Sequence, residues 1–215
     1  MFFKNRKGQF FPYSDSAPRK SLPILTIGLI VLNVSIFLLS YFGDFESIIS
    51  RYGFVPATPS VLTLFTSMFL HGGFDHIFGN MWYLWIFGDN VEDKFGKIKF
   101  LLLYFASGLF ATFLQYITDP TSTIPSIGAS GAISGVLGAY ILLFPREQVL
   151  TGIGYSLVRV PAFIVIGFWF VIQFIFGTVS LLGGVGSNIA FWAHIGGFIF
   201  GLIFTLIIKR RFQEE

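Results

Sequence analysis

Residues Ser126–Gly135 read SIGASGAISG, with serines at 126, 130 and 134 and glycines at 128, 131 and 135, inside an otherwise hydrocarbon-like stretch. Small residues of this kind let helix backbones approach closely, and a serine beside a base is a nucleophile. The bases available are His71, His76 and His194, the 3 histidines of the chain. Each stands in or beside the start of an apolar segment. An ionisable group there is costly and faces a bundle interior or a water-filled cavity. His76 and Asn80 lie about 40° apart around a helix and so share a face. His71 and His76 would be about 140° apart, so His71 is expected to precede the helix, with Gly72 and Gly73 as the bend. Cysteine is absent, which excludes thiolate nucleophiles, disulfides and cysteine-based metal sites.

These residues need helices to hold them, and the composition says where those helices sit. The 215 residues are 54% hydrophobic and 12% charged, with a mean hydropathy of +0.75. A soluble domain carries about 25% charged residues, so a polytopic membrane bundle is expected, all-α, with six transmembrane helices. A span needs roughly 20 apolar residues. Leu22–Phe42, Phe100–Thr118, Ile124–Phe144, Val160–Leu182 and Ile189–Ile208 meet that need, and Phe74–Gly88 is read as a further span. Val61–Leu70 is too short to cross and is expected to lie in the interface or re-enter. The first apolar run is too long for a cleavable signal and lacks a small-residue cleavage site. Residues 1–21 then form a basic, aromatic tail expected at the membrane surface, 22–208 the six-span domain, and 209–215 a second short tail. No internal repeat is visible.

Charge sets the orientation. With the N-terminus inside, Lys4, Arg6, Lys7, Arg19 and Lys20 fall on the cytoplasmic side, as do Lys94, Lys97 and Lys99, Arg146 and Arg159, and Lys209, Arg210 and Arg211. Arg51 alone falls outside. This is the positive-inside bias, and it accounts for the pI of about 9.2 without a nucleic-acid partner. The expected location is a cell (inner) membrane, multi-pass, with both termini cytoplasmic.

Orientation bears on chemistry. Spans two, four and six all run from outside to inside, so His76 and Asn80, Ser130 and His194 come to similar depth, each expected about 5–10 Å below its helix start. Gly131, Gly135 and Gly138 form a small-residue seam on span four, and Ala193, Gly197 and Gly201 form another on span six. Packing of the two seams would let Ser130 come within the roughly 2.6–3.2 Å a serine–histidine pair requires. Ser130 sits in Gly-x-Ser-Gly, Gly128–Gly131, at a helix start, where free backbone N–H groups can receive an oxyanion. Ser134, one turn deeper on nearly the same face, is the alternative, and Ser126 is expected to be a cap. A channel or transporter would also want a polar cavity, but the mid-membrane stretches carry no Asp, Glu, Lys or Arg. A zinc site on the three histidines is opposed by the 140° offset and by the lack of His-Glu-x-x-His. A non-catalytic binder of membrane helices stays open.

The motifs together resemble one family. "GASG" (Gly128–Gly131), "HGGFDHIFGN" (His71–Asn80) and "AHIGGFIFG" (Ala193–Gly201), in that order and on those spans, are similar to rhomboid intramembrane serine proteases, and "GDNVEDKFG" (Gly88–Gly96) resembles that family's pattern after span two. The resemblance covers Leu22 to Ile208. It implies Ser130 as nucleophile and His194 as general base in a Ser–His dyad, an oxyanion hole from His76, Asn80 and the Ser130 N–H, and His71 as support for the outer cavity. Gly128, Gly131, Gly135, Gly197 and Gly201 would serve helix packing. Glu92 would be structural, Val61–Leu70 part of a half-submerged loop, Leu181–Asn188 a mobile cap, and span five a side gate. Single-span membrane proteins would be the substrates, cut near the outer face at small or helix-weakening residues, with the lipid bilayer as medium, no cofactor and no metal. Oligomeric state is left open. Two departures stand out: Ser134 replaces an aromatic that some relatives pack on the catalytic histidine, and the first outer loop lacks the Trp-Arg pair that braces it in some relatives.

Overall fold

The computed structural model describes residues 10–182 and 189–211. The chain opens with strand β1 (Phe10–Asp15), followed by helix α1 (Ile24–Phe42), α2 (Phe45–Tyr52), α3 (Val61–Thr66) with a 3-10 turn at Ser67–Phe69, α4 (Phe74–Phe95), α5 (Lys97–Thr118) and α6 (Ser130–Leu143). Strands β2 (Gln148–Ile153) and β3 (Ser156–Pro161), then α7 (Ala162–Leu181) and α8 (Phe191–Arg211), complete it.

Among the described residues four helices are long and apolar enough to cross a membrane: α1, α5, α7 and the Phe191–Lys209 part of α8. α4 has 22 residues but carries Asp75, Asp89, Glu92, Asp93 and Lys94. α6 is apolar but has only 14 residues. Its expected start at Ile124 is corrected to Ser130. Pro125 stands in the segment before it, Ser126 is held in an isolated bridge with Phe54, and Gly128 has a φ of 124°, so the chain cannot be helical there.

The bundle closes on α6. Its buried face packs most closely against α8, next against α5 and α4. Leu84 and Phe87 of α4, Phe100 and Tyr104 of α5, and Val136 and Tyr140 of α6 are fully enclosed. α6 and α8 come together through glycine. A Cβ on Gly201 would overlap the carbonyl oxygen of Gly135, and one on Gly197 the carbonyl oxygen of Gly131. Gly138 lies in the same way against the carbonyl of Phe198. With only hydrogen between them, the backbones are in van der Waals contact.

The expectation of an all-α fold needs one correction. β1, β2 and β3 form an antiparallel sheet in that order. The β2–β3 hairpin turns at Gly154, whose φ of 62° suits the turn, and pairs Ile153 with Ser156. Alternation buries Val149 and Thr151. The sheet arises because the residues between α6 and α7 are a β-branched run on each side of a glycine turn, and its free edge is taken by β1, with a bulge between Pro12 and Ser14.

A second correction follows. From Phe10 onward the N-terminal segment is a strap on α4 and not a free surface tail; residues 1–9 lie outside the described residues. Trp82 donates its indole N–H to the carbonyl of Pro12 at 2.8 Å, and the ring of Phe11 stacks on it. Asn90 donates to the carbonyl of Ala17 at 3.0 Å, Arg19 pairs with Asp89 at 3.0 Å, and the Ser21 hydroxyl donates to Asp93. Tyr140 donates its hydroxyl proton to Asp15.

Glu92 explains how α1 begins. It lies inside α4, buried, and its carboxylate accepts from the backbone N–H of Leu25 at 3.0 Å and of Thr26 at 2.8 Å, and from the Thr26 hydroxyl at 2.8 Å. The N-cap residue, Pro23, offers no side-chain acceptor. A carboxylate at a helix N-terminus satisfies orphan donors and meets the positive end of the dipole.

Candidate active site

The site is assembled at the starts of α4, α6 and α8. Ser130 is the first residue of α6, so it lies at the helix tip and not below it. His194 follows the start of α8 by three residues, about 4–5 Å along the axis, and Asn80 follows the start of α4 by six, about 9 Å.

Ser130 Oγ and His194 Nε2 are 2.8 Å apart. This is a direct hydrogen bond from the hydroxyl of one helix to the ring of another. It depends on the seam just described, since Gly131 follows the serine and Gly197 lies one turn past the histidine. Gly131 also faces α5, where an added Cβ would come within 2.5 Å of the Ala111 Cβ.

Ser134 does not compete for the ring. It is buried, and its hydroxyl donates to the carbonyl of Ser130 at 2.6 Å. Ser126 caps nothing: its backbone pairs with Phe54 at 2.7 and 3.2 Å.

Gly128 belongs to the site and not to the helix seam, which corrects its expected packing role. It precedes α6 and has the positive φ that favours glycine. A Cβ there would sit 2.8 Å from His76 Nε2 and 3.7 Å from Ser130 Oγ. The missing side chain is the space in which His76 and Ser130 approach. His76 Nδ1 accepts from the Gly72 N–H at 3.3 Å, which turns Nε2 toward that space. Asn80 is buried and donates to the His76 carbonyl at 2.9 Å within α4. Among the described residues no side chain caps the N-terminus of α6, which leaves the first N–H groups of that helix to meet an anion.

His71 precedes α4. It is buried, its ring stands edge-on to that of His76 at 5.1 Å between centroids, and neither ring nitrogen makes a hydrogen bond among the described residues. The outer loop is braced without a Trp-Arg pair. Phe54 bridges Ser126, the Ala57 N–H donates to the Ser122 carbonyl at 2.9 Å, and the Gly128 N–H donates to the Ser67 carbonyl at 2.9 Å. Thr66 donates to the Tyr52 carbonyl at 2.7 Å. The loop Phe45–Leu70 is thereby tied to the segment that carries the serine. The expected cap, Leu181–Asn188, falls mainly on residues 183–188, outside the described residues.

Two residues were not anticipated. Gln173 of α7 places Oε1 2.8 Å from His194 Nδ1. Trp169, one turn earlier, lays its ring near the imidazole, with centroids 5.9 Å apart and a tilt of 36°. Together they pack on His194 from α7. The available signal was an amide in the middle of a span, which is costly there unless bonded. The arrangement can activate a hydroxyl for attack on a carbonyl and stabilise the resulting oxyanion.

The Rhomboid domain family model matches residues 58–211. The chain is 30% identical over 154 residues to YdcA of Bacillus subtilis, covering 71% of this chain and 69% of that one. It is 37% identical over 140 residues to the rhomboid protease GluP of the same organism, covering 64% of this chain and 24% of GluP. It is 27% identical over 221 residues to the mitochondrial rhomboid protein 1 of Saccharomyces cerevisiae, covering 95% of this chain and 58% of the yeast protein. The chain thus spans about two thirds, a quarter and just under three fifths of these relatives.

Proposed function

The chain belongs to the rhomboid family of multi-pass membrane proteins, and on that premise we propose that it is an intramembrane serine endopeptidase working through Ser130 and His194. The observation that carries this reading is the 2.8 Å contact between Ser130 Oγ and His194 Nε2 at the mouth of α6. Ser130 Oγ attacks the carbonyl carbon of a peptide bond and its proton passes to His194 Nε2. The oxyanion is met by the free N–H groups at the α6 N-terminus, with His76 and Asn80 beside it. Collapse breaks the C–N bond, and His194 returns the proton to the leaving amine. Water then gives a proton to His194, attacks the acyl-enzyme, and releases the new carboxylate with Ser130 restored. His71 supports the outer cavity from behind His76.

In this reading α1, α4, α5, α6, α7 and α8 are six spans. Four have the length and composition of a span on their own. α4 keeps its charged residues at its two ends, Asp75 at the start and Asp89, Glu92, Asp93 and Lys94 toward the C-terminus, and the short α6 is wrapped by α4, α5 and α8. The positive-inside bias supports cytoplasmic termini, and with them a cell (inner) membrane and a site near the outer face. The substrates are single-span membrane proteins, whose helices must unwind near the cut because a helix ties up its own carbonyls.

The test is fluorophosphonate labelling of the purified protein, with cleavage of a designed single-span substrate in liposomes. Wild type is expected to be labelled and to cleave, and Ser130→Ala and His194→Ala to do neither. Cleavage that survives Ser130→Ala would overturn the proposal.

A further inference from the structure

The geometry points to Gln173 as the residue that orients the catalytic base, making Ser130, His194 and Gln173 a triad drawn from three helices; this rests on the protease reading above. To accept the Ser130 proton, His194 Nε2 must hold a free lone pair. In a neutral imidazole the other nitrogen, Nδ1, then carries the hydrogen and needs an acceptor. α8 contains no Asp or Glu to supply one. Gln173 Oε1 stands 2.8 Å from Nδ1.

Chemistry also settles which way the amide faces. With the NH2 toward the ring, Gln173 would donate to Nδ1 and force the hydrogen onto Nε2, the tautomer that cannot take the serine proton. With Oε1 toward the ring, the Nδ1 hydrogen and the Ser130 hydroxyl each have an acceptor. Thr178 of α7 is satisfied within its own helix, donating to the Phe174 carbonyl at 2.8 Å. Gln173 instead reaches across to α8. Trp169 holds the ring from the same face of α7. A neutral acceptor suits the setting, since a carboxylate at this depth would carry a large desolvation cost. Gln173 holds the tautomer and the ring angle; it touches neither substrate nor the reacting oxygen, and is a positioning residue.

Gln173→Met keeps length and apolar volume and removes the acceptor; Gln173→Glu keeps the acceptor oxygen. On the designed substrate in liposomes, Gln173→Met is expected to lower kcat about 10- to 100-fold with KM within about two-fold and no loss of thermal midpoint. Gln173→Glu keeps an acceptor at a desolvation cost, and is expected to retain at least about five-fold more kcat than Gln173→Met even where its thermal midpoint falls. Imidazole 15N spectra, assigned with His194→Gln, should show the Nδ1–H form of His194 in wild type and a mixture in Gln173→Met. Wild-type kcat in Gln173→Met, or equal loss in both variants with a lowered midpoint, would overturn the inference. Failure of the protease reading looks different: wild type would not cleave, or Ser130→Ala would, while the 15N signature still reports whether Gln173 sets the tautomer.

Discussion

Replacing Gly197 by alanine tests the claim that backbone contact sets the Ser130–His194 distance. Gly197 lies one turn past His194, and its missing Cβ would fall on the carbonyl oxygen of Gly131, the residue after Ser130. That neighbour is backbone, so it cannot rotate aside. An ordinary carbon–oxygen contact is about 3.3–3.6 Å, so α8 must retreat from α6 by on the order of 1 Å. The 2.8 Å hydrogen bond then stretches beyond the range of about 3.2 Å in which such a bond holds. A displacement of that size costs about 100-fold in rate. Overpacking costs about 1–3 kcal/mol, offset by the roughly 1 kcal/mol that alanine gains over glycine in a helix, so the fold survives. The assay is fluorophosphonate labelling and substrate cleavage beside thermal unfolding. Gly28→Ala on α1 is the control, because nothing lies within 4 Å of the added methyl; it should keep full activity. Wild-type labelling of Gly197→Ala would refute the reasoning.

Ser134→Ala removes only a hydroxyl that donates to the Ser130 carbonyl at 2.6 Å, so kcat should stay within about three-fold of wild type and the label should remain on Ser130. Glu92→Gln takes the charge from the α1 N-terminus and should lower stability by about 1–2 kcal/mol in thermal or detergent unfolding, with the cleavage rate of folded protein unchanged. Asp15 is half-buried under Tyr140, and burial, with Asp89 nearby, pushes its carboxyl up from 3.8 to about 6. The folded state therefore binds the extra proton between those values. Docking of β1 should be firmest below pH 4 and weaken as pH rises through about 6. Hydrogen exchange of β1 amides should show that slope, on the order of 1 kcal/mol after allowing for solvent screening, and Asp15→Asn should abolish it.

The membrane class, the helix order and the polar residues gathered at three helix starts were legible in the sequence, because apolar length, lysine and arginine bias and glycine spacing are local signals. Spacing along one helix also put His76 and Asn80 on one face and His71 before the bend. What the one-dimensional pattern could not show was partnership between distant segments. Residues 10–21 read as a basic aromatic tail, and only the indole of Trp82, the open edge of β2 and the carboxylates of Asp89 and Asp93 made them a strap. The β2–β3 hairpin was hidden between two apolar runs whose lengths dominated the reading. Gly128 read as packing, and only its φ of 124° and the His76 ring beside it showed that its missing side chain leaves room between His76 and Ser130. Gln173 read as one amide in an oily helix. A hydrogen bond to His194 across 21 positions of sequence is set by how α7 rotates against α8, and that rotation is decided by packing rather than by local spacing.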